Sequence, residues 1–257
     1  VRLRLVELPI DGDPDVCMER SCAAACMSPA PDLALLPELF TTGFVLDRIA
    51  SLSHSPADLP GLLPARTAAS SSMWLAAGTL PVRKEGATVN RMAVFSRRGE
   101  LAYTTEKVHL FRQMGEDTVF HPGTCGGTFD LEGMRAAGIV CYDLRFPELT
   151  RRLTLCGAEL ILVPAQWPSR RITLFKSLLR ARAAESQVFV AGCNLGGEHL
   201  GVSFMGGGGV AHPSGNLLKG IDIADGVSDY VIEPHDVEDM RVKIDCLSDR
   251  RPEEYSS

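Results

Sequence analysis

Apolar and polar residues follow two rhythms along this chain, short runs with the period of a strand and longer ones with the period of a helix. Arg2–Leu8 alternates polar and apolar residues and predicts a first strand, with a cysteine-rich helix over Asp15–Met27 after it. Residues 32–38 predict an apolar strand that terminates in the carboxylate of Glu38. A helix over Pro64–Ser72 and a strand over Trp74–Leu80 follow. Ala87–Phe95 and Leu101–Thr105 are β-prone and flank Arg97-Arg98-Gly99-Glu100, which reads as a hairpin turn. A βα rhythm then continues with strand 135–140, helix 147–156, strand 159–163, helix 171–185 and strand 187–193. Segments near 208–212, 216–219 and 229–233 read as strands with glycine-rich connections, and His235–Lys243 as a closing helix. The pattern suits two sheets with helices outside them, an α/β arrangement in layers.

The residues capable of chemistry fall where the strands stop. The apolar run Ala136–Val140 ends abruptly at Cys141, polar turn formers follow, and Pro147 is placed to open a helix at its first turn. Strand, cysteine, turn and helix make a nucleophile elbow, which is expected to lower the thiol pKa and offer backbone N–H groups to an oxyanion. A cysteine that merely packs is the ordinary alternative. Two further strand ends tip the balance: Glu38 closes one run, and Lys107 closes Leu101–Glu106. Hydrolysis of an amide by a thiol needs a base for the thiol, a proton donor for the leaving nitrogen and positive charge near the oxyanion. Glu38 can move the protons and Lys107 can supply the charge.

Three segments resemble the signature blocks of the nitrilase, or carbon–nitrogen hydrolase, superfamily: Pro-Glu-Leu-Phe-Thr-Thr-Gly-Phe (37–44), Glu-Lys-Val-His-Leu-Phe (106–111) and Cys-Tyr-Asp-Leu-Arg-Phe-Pro-Glu (141–148). Val-Pro-Ala-Gln-Trp-Pro (163–168) resembles a fourth block, and 179–194 resembles the helix and strand after it. The blocks stand in family order, and the resemblance runs from about Val1 to Glu233. It implies a four-layer αββα sandwich as one catalytic domain over residues 1–257, with a C-terminal helix and tail from about 235. It also implies a triad of Glu38, Lys107 and Cys141, with no metal and no organic cofactor. Glu116, which opens the stretch Glu-Asp-Thr-Val-Phe-His-Pro-Gly (116–123), matches the family's second glutamate, expected to hold the lysine and position the substrate nitrogen. Homodimers are common in the superfamily, and the helices at 147–156 and 171–185 are the expected contact surface.

The residues after the cysteine narrow the substrate. Tyr-Asp-Leu-Arg-Phe-Pro-Glu resembles the amidase branch that includes ω-amidases and deaminated-glutathione amidases, not the Trp-Glu of nitrile-cleaving members. The Gln-Trp-Pro block and Val-Ala-Gly-Cys-Asn (190–194) lean toward bacterial ω-amidases, which release ammonia from the terminal amide of 2-oxo acids. Tyr142 is then expected to donate its backbone N–H, Arg145 to bind a substrate carboxylate through its bidentate fork, and Trp167 to wall the pocket. For Arg145 a salt bridge to Asp143 or Glu148 is an equal alternative. The chain departs from the branch at Leu174-Phe175, at Ser186, at Gly206–Gly209 and at His212-Pro213, all positions that bear on pocket shape.

Composition removes several classes. The 257 residues carry a formal charge of −6, which disfavours non-specific nucleic-acid binding, and the apolar runs are too short to span a bilayer. Arg2 and Arg4 are followed by no apolar core or cleavage site of the secretory kind. The eight cysteines are scattered among apolar neighbours without a CxxC pair, so free thiols in a cytoplasmic setting are expected. Arg170–Arg182 reads as a helix with a charged face. Two rival classes remain at this level: a Cys–His–Glu enzyme using His235 and Glu238, and a non-catalytic binding member of the fold.

Overall fold

The computed structural model describes residues 1–255. Its first sheet gathers β1 (Arg2–Val6), β2 (Leu33–Leu35), β3 (Trp74–Lys84), β4 (Ala87–Phe95) and β5 (Leu101–Glu106). A second sheet begins with β6 (Phe129–Leu131), β7 (Met134–Gly138), β8 (Leu160–Ala165) and β9 (Phe189–Asn194). A separate hairpin, β10 (Gly196–His199) and β11 (Val202–Met205), follows. β12 (Gly209–Ala211) then joins the second sheet beside β9, and β13 (Ile221–Ala224) and β14 (Val227–Val231) return to the first sheet beside β1. The orders are β13-β14-β1-β2-β3-β4-β5 and β12-β9-β8-β7-β6.

Side-chain alternation explains the layers. Successive residues of a strand point to opposite faces. Leu3, Leu5, Leu33, Leu35, Met92 and Val94 pack into one cluster with the second sheet. Their neighbours Val6, Ala34, Ala93 and Phe95 pack instead with Met18 and Cys22 of α1 (Pro14–Ala25) and Ala65 and Ala68 of α2 (Leu63–Ser70). β8 is apolar at every position because it is central and parallel to both neighbours, with both faces covered. Its outer face meets Leu153 of α3 (Pro147–Leu155) and Leu179 and Ala183 of α4 (Ile172–Ser186), completing helix, sheet, sheet and helix. Arg4 is the buried polar residue of β1: its guanidinium pairs with Asp229 at 2.7 and 3.0 Å and caps the carbonyls of Ala25, which ends α1, and of Met27 and Pro29 beyond it.

Several expectations need correction. β1 stops at Val6 and β2 at Leu35, so Glu38 sits in a turn beyond the strand rather than at its end. Segment 216–219 is no strand; a single bridge joins Leu217 to Ala211. The hairpin β10–β11 escapes prediction because Gly196-Gly197-Glu198-His199 carries no apolar alternation. The closing helix, α5, spans His235–Lys243 as expected.

Candidate active site

Glu38 is delivered inward by a turn locked to β3. The Leu36 N–H donates to the Ala76 carbonyl at 3.0 Å, the Thr79 N–H to Pro37 at 3.3 Å, and the Leu39 N–H to Thr79 Oγ1 at 2.8 Å. β3 bulges between Ala76 and Thr79 to make this fit. Gly78, at φ +48°, lies so close that a Cβ would stand 1.8 Å from the Pro37 oxygen. Only glycine permits that approach.

Lys107 follows β5 directly. Its N–H donates to Asn90 at 2.9 Å and its carbonyl accepts from Gly123 of the Pro-Gly turn at 2.8 Å. Glu116 begins a short 3-10 turn and points back to the same place. Lys107 Nζ donates to Glu38 Oε1 and Glu116 Oε2, both at 2.8 Å, with all three side chains buried. Asn90 Nδ2 donates to Glu38 Oε1 at 2.9 Å, and the Phe111 N–H to Glu116 Oε2 at 2.7 Å. Gln166 Nε2 reaches the Glu38 carbonyl at 2.6 Å. Glu38 Oε2 is buried and takes no N–H donor, and the Cys141 thiol is the side chain that faces this carboxylate.

Cys141 enters from the other sheet. β7 ends at Gly138, and Cys141 adopts φ +48° at the head of a 3-10 turn over Cys141–Arg145. A non-glycine residue there is strained, as an elbow that thrusts its side chain forward requires. Asp143 holds the elbow: its carboxylate accepts from Val140 N–H at 3.1 Å and, across the gap, from Val108 N–H at 3.3 Å and His109 N–H at 2.8 Å. His109 Nδ1 also meets Asp143 at 2.8 Å and its ring stacks on Phe146, which agrees with a structural role. On the far side, Arg182 donates to the carbonyls of Leu144 and Arg145, each at 3.0 Å. Arg182 is therefore buried scaffolding, not part of the charged outer face expected from the sequence.

The electrostatics overturn one expectation. Burial, reinforced by the Glu38 charge, pushes the Cys141 thiol well above its ordinary range, whereas the elbow alone was expected to lower it. Burial likewise raises Glu38, with Lys107 opposing it and Glu116 adding to it. For Lys107 burial acts against the ammonium, but Glu38 and Glu116 outweigh it and hold the charge in place. The resting thiol is thus protonated and directed at the Glu38 carboxylate. A thiol proton can move to Glu38 Oε2 as sulfur attacks a carbonyl, while Lys107 supplies fixed positive charge.

A cavity of about 220 Å³ opens over Cys141, with Lys107 and Glu116 at its base. Tyr142, Arg145 and Trp167 all line it. Arg145 makes no ion pair with Asp143 or Glu148; its guanidinium lies over the rings of Tyr142 and Trp167, 5.8 and 5.1 Å from their centroids. Trp167 is buried and packs on Phe175 at 5.4 Å, so the departure at Leu174-Phe175 does shape this wall. No histidine lines the cavity and His235 is exposed on α5, which removes the Cys–His–Glu alternative. Asn90, Asp143, Phe44 and the hairpin residues Val202 and Phe204 belong to the site or its support without having been foreseen. Asn90 left one signal, the single amide of β4, whose other polar residues are Thr88 and Arg91. Among the described residues, His235, Asp236 and Asp239 have metal-ligand proximity, and none of them lines the cavity.

Comparison with known proteins identifies the family. The carbon–nitrogen hydrolase family model matches residues 17–242. The chain is 33% identical over 224 residues to the 2-oxoglutaramate amidase of Bacillus subtilis, covering 87% of this chain and 86% of that one. It is 34% identical to omega-amidase YafV of Escherichia coli, covering 74% and 73%. A CN-hydrolase superfamily protein from Xanthomonas campestris superimposes with a TM-score of 0.88 at 28% identity, covering 98% of this chain and 97% of that one. A mutant of the amidase from Nesterenkonia sp. AN1 in complex with butyramide gives 0.83 at 27%, covering 99% and 95%. The chain belongs to the carbon–nitrogen hydrolase family, and with it comes the αββα sandwich expected from the sequence.

Proposed function

We propose that this protein is an ω-amidase-like hydrolase that cleaves the terminal amide of a small 2-oxo dicarboxylic acid monoamide, releasing ammonia through a cysteine thioester. The supporting observation is the buried Glu38–Lys107–Glu116 cluster beside Cys141, under a cavity walled by an unpaired Arg145. In this scheme Cys141 Sγ bonds to the amide carbon as its proton passes to Glu38 Oε2. Lys107 Nζ and the Tyr142 N–H stabilise the oxyanion, and Glu116 fixes Lys107 and orients the substrate nitrogen. Collapse breaks the C–N bond, and Glu38 returns the proton to the departing ammonia. Water, deprotonated by Glu38, then attacks the thioester and restores the thiol. The sum is amide plus water giving acid plus ammonia, with no redox step.

Arg145 is the partner of the substrate carboxylate, with its guanidinium lodged over the Tyr142 and Trp167 rings, which limit where its fork can point. A charge-assisted pair of this kind contributes roughly 1.5–3 kcal/mol, a preference of about tenfold to a hundredfold for acidic over neutral amides. The deciding measurement compares 2-oxoglutaramate and 2-oxosuccinamate with neutral amides, nitriles and N-carbamoyl amino acids, in the native protein and in Arg145→Lys. The lysine variant is expected to lose most of the preference. Faster turnover of a nitrile or carbamoyl compound overturns the assignment of substrate, and equal rates on acidic and neutral amides remove Arg145 from it. We infer a homodimer through α3 and α4, the helices that present the exposed Leu155 and Leu174, and a monomer mass on sedimentation would contradict that. The eight free thiols suit a reducing cytoplasm.

A further inference from the structure

Three arginines reach the cavity around Cys141, and the proposed reaction uses one of them. Arg171 lies over the Phe111 ring, 5.7 Å from its centroid, and Arg170 stands beside it on the solvent side of the same wall. Among the described residues, the guanidiniums of Arg145, Arg170 and Arg171 take part in no ion pair. Lys107, by contrast, is matched twice over by Glu38 and Glu116. Counted against those two carboxylates, the four cations leave an excess of two positive charges at the cavity, on a chain whose net charge is −6. Such an enclosed excess concentrates anions.

Stability gives no reason for Arg170 and Arg171. Arg171 is the residue that opens α4, where the helix dipole disfavours a cation, and the first turn offers no acidic partner. Phe111 gives Arg171 a flat platform, which fixes its direction more than it stabilises the fold. These residues stand where a ligand's charge, not the protein's, completes them.

We propose that Arg171, with Arg170 beside it, is a specificity-determining residue that forms a second anion subsite, so that an amide with a further carboxylate is turned over better than its one-carboxylate counterpart. The inference rests on the reading of Arg145 as partner of the first carboxylate, and it extends that reading from amides with one free carboxylate, such as 2-oxoglutaramate, to dianionic ones.

A matched pair tests it. Glutaric acid monoamide carries one carboxylate; tricarballylic acid monoamide has the same chain with one more carboxylate on its central carbon. The native enzyme is expected to show kcat/KM about tenfold higher for the dianionic amide, expressed in KM, and Arg171→Gln to bring that ratio to about one. Arg171→Lys should keep part of the ratio. Calorimetric binding of glutarate and tricarballylate to Cys141→Ala reads the same ratio without turnover. A native ratio of one or less overturns the proposal, as does a ratio that persists in Arg171→Gln. Loss of the native ratio in about 0.5 M salt together with equal loss for both substrates in Arg171→Gln would show long-range steering and overturn it too. Arg145→Gln, measured on the same pair and on neutral butyramide, reports separately on the first carboxylate, so the two readings fail by different signs.

Discussion

Replacing Glu7 by glutamine is expected to stabilise the protein in alkaline solution and to do nothing for it in acid. Glu7 Oε1 accepts from the Asn194 N–H and from the Gly208 N–H, both at 2.8 Å. The residue as a whole retains some surface, but its carboxylate is enclosed under the glycine loop 206–208 and no cation hydrogen-bonds to it. Burial pushes Glu7 up from 4.5 to about 7, against those N–H groups and the more distant Lys176, which pull it down. A carboxyl raised on folding favours the protonated native state. Stability therefore falls as pH climbs from about 4.5 and levels off above about 7. At about 1.4 kcal/mol for each tenfold, the full ionisation penalty is roughly 3 kcal/mol. Glutamine keeps an oxygen for both N–H donors and removes the charge, so Glu7→Gln escapes the penalty. In a chain of this size the gain is roughly 6–12 °C in Tm at about pH 8, shrinking to nothing near pH 4. Urea denaturation of both proteins across that range reads it directly. A variant that is less stable at pH 8, or better by the same amount at every pH, would refute the reasoning.

Two further outcomes follow from the site. Gly78→Ala meets the Pro37 carbonyl at 1.8 Å in a left-handed conformation, so it is expected to cost about 2–4 kcal/mol in denaturation and to lower kcat by displacing Glu38; native-like stability and rate would contradict the account of that turn. Asn90→Leu removes the amide that fixes Glu38 Oε1 at 2.9 Å, and is expected to reduce kcat about tenfold or more with a smaller change in KM, a split that stopped-flow and steady-state kinetics can check.

The strand end that presents Lys107 was legible because an apolar run stopping at a charged residue is a local signal, whereas Cys141 stands three residues past Gly138, the end of β7, and not at the end of a strand running to 140. Glu38 was legible as a residue and not as a position, since the turn that aims it depends on the bulge in β3, far along the chain. Asp143 and Arg182 were opaque for a related reason. Each works through backbone groups 34 to 38 residues away, and nothing in the spacing of side chains records which carbonyl or N–H will arrive beside them. Arg171 read as helix surface because its neighbourhood is set by Phe111, from another loop, whereas Arg170 is exposed as expected. The thiol's raised pKa was missed because an elbow seen alone shows its turn and helix but not the carboxylate across from it.

Glu38 and Lys107 are carried by one sheet and Cys141 by the other, and Asp143 is the stitch between them, with one carboxylate gripping N–H groups from both. The reacting distance is therefore a measure of how the two sheets are seated on each other. Slippage of an ångström along that apolar seam would part the thiol from its base while every helix and strand stayed intact. Ammonia release should then vanish before far-ultraviolet dichroism does as the protein is warmed or treated with denaturant. Turnover becomes a gauge of the seam, reporting looseness in the sandwich that the spectrum of its parts does not register.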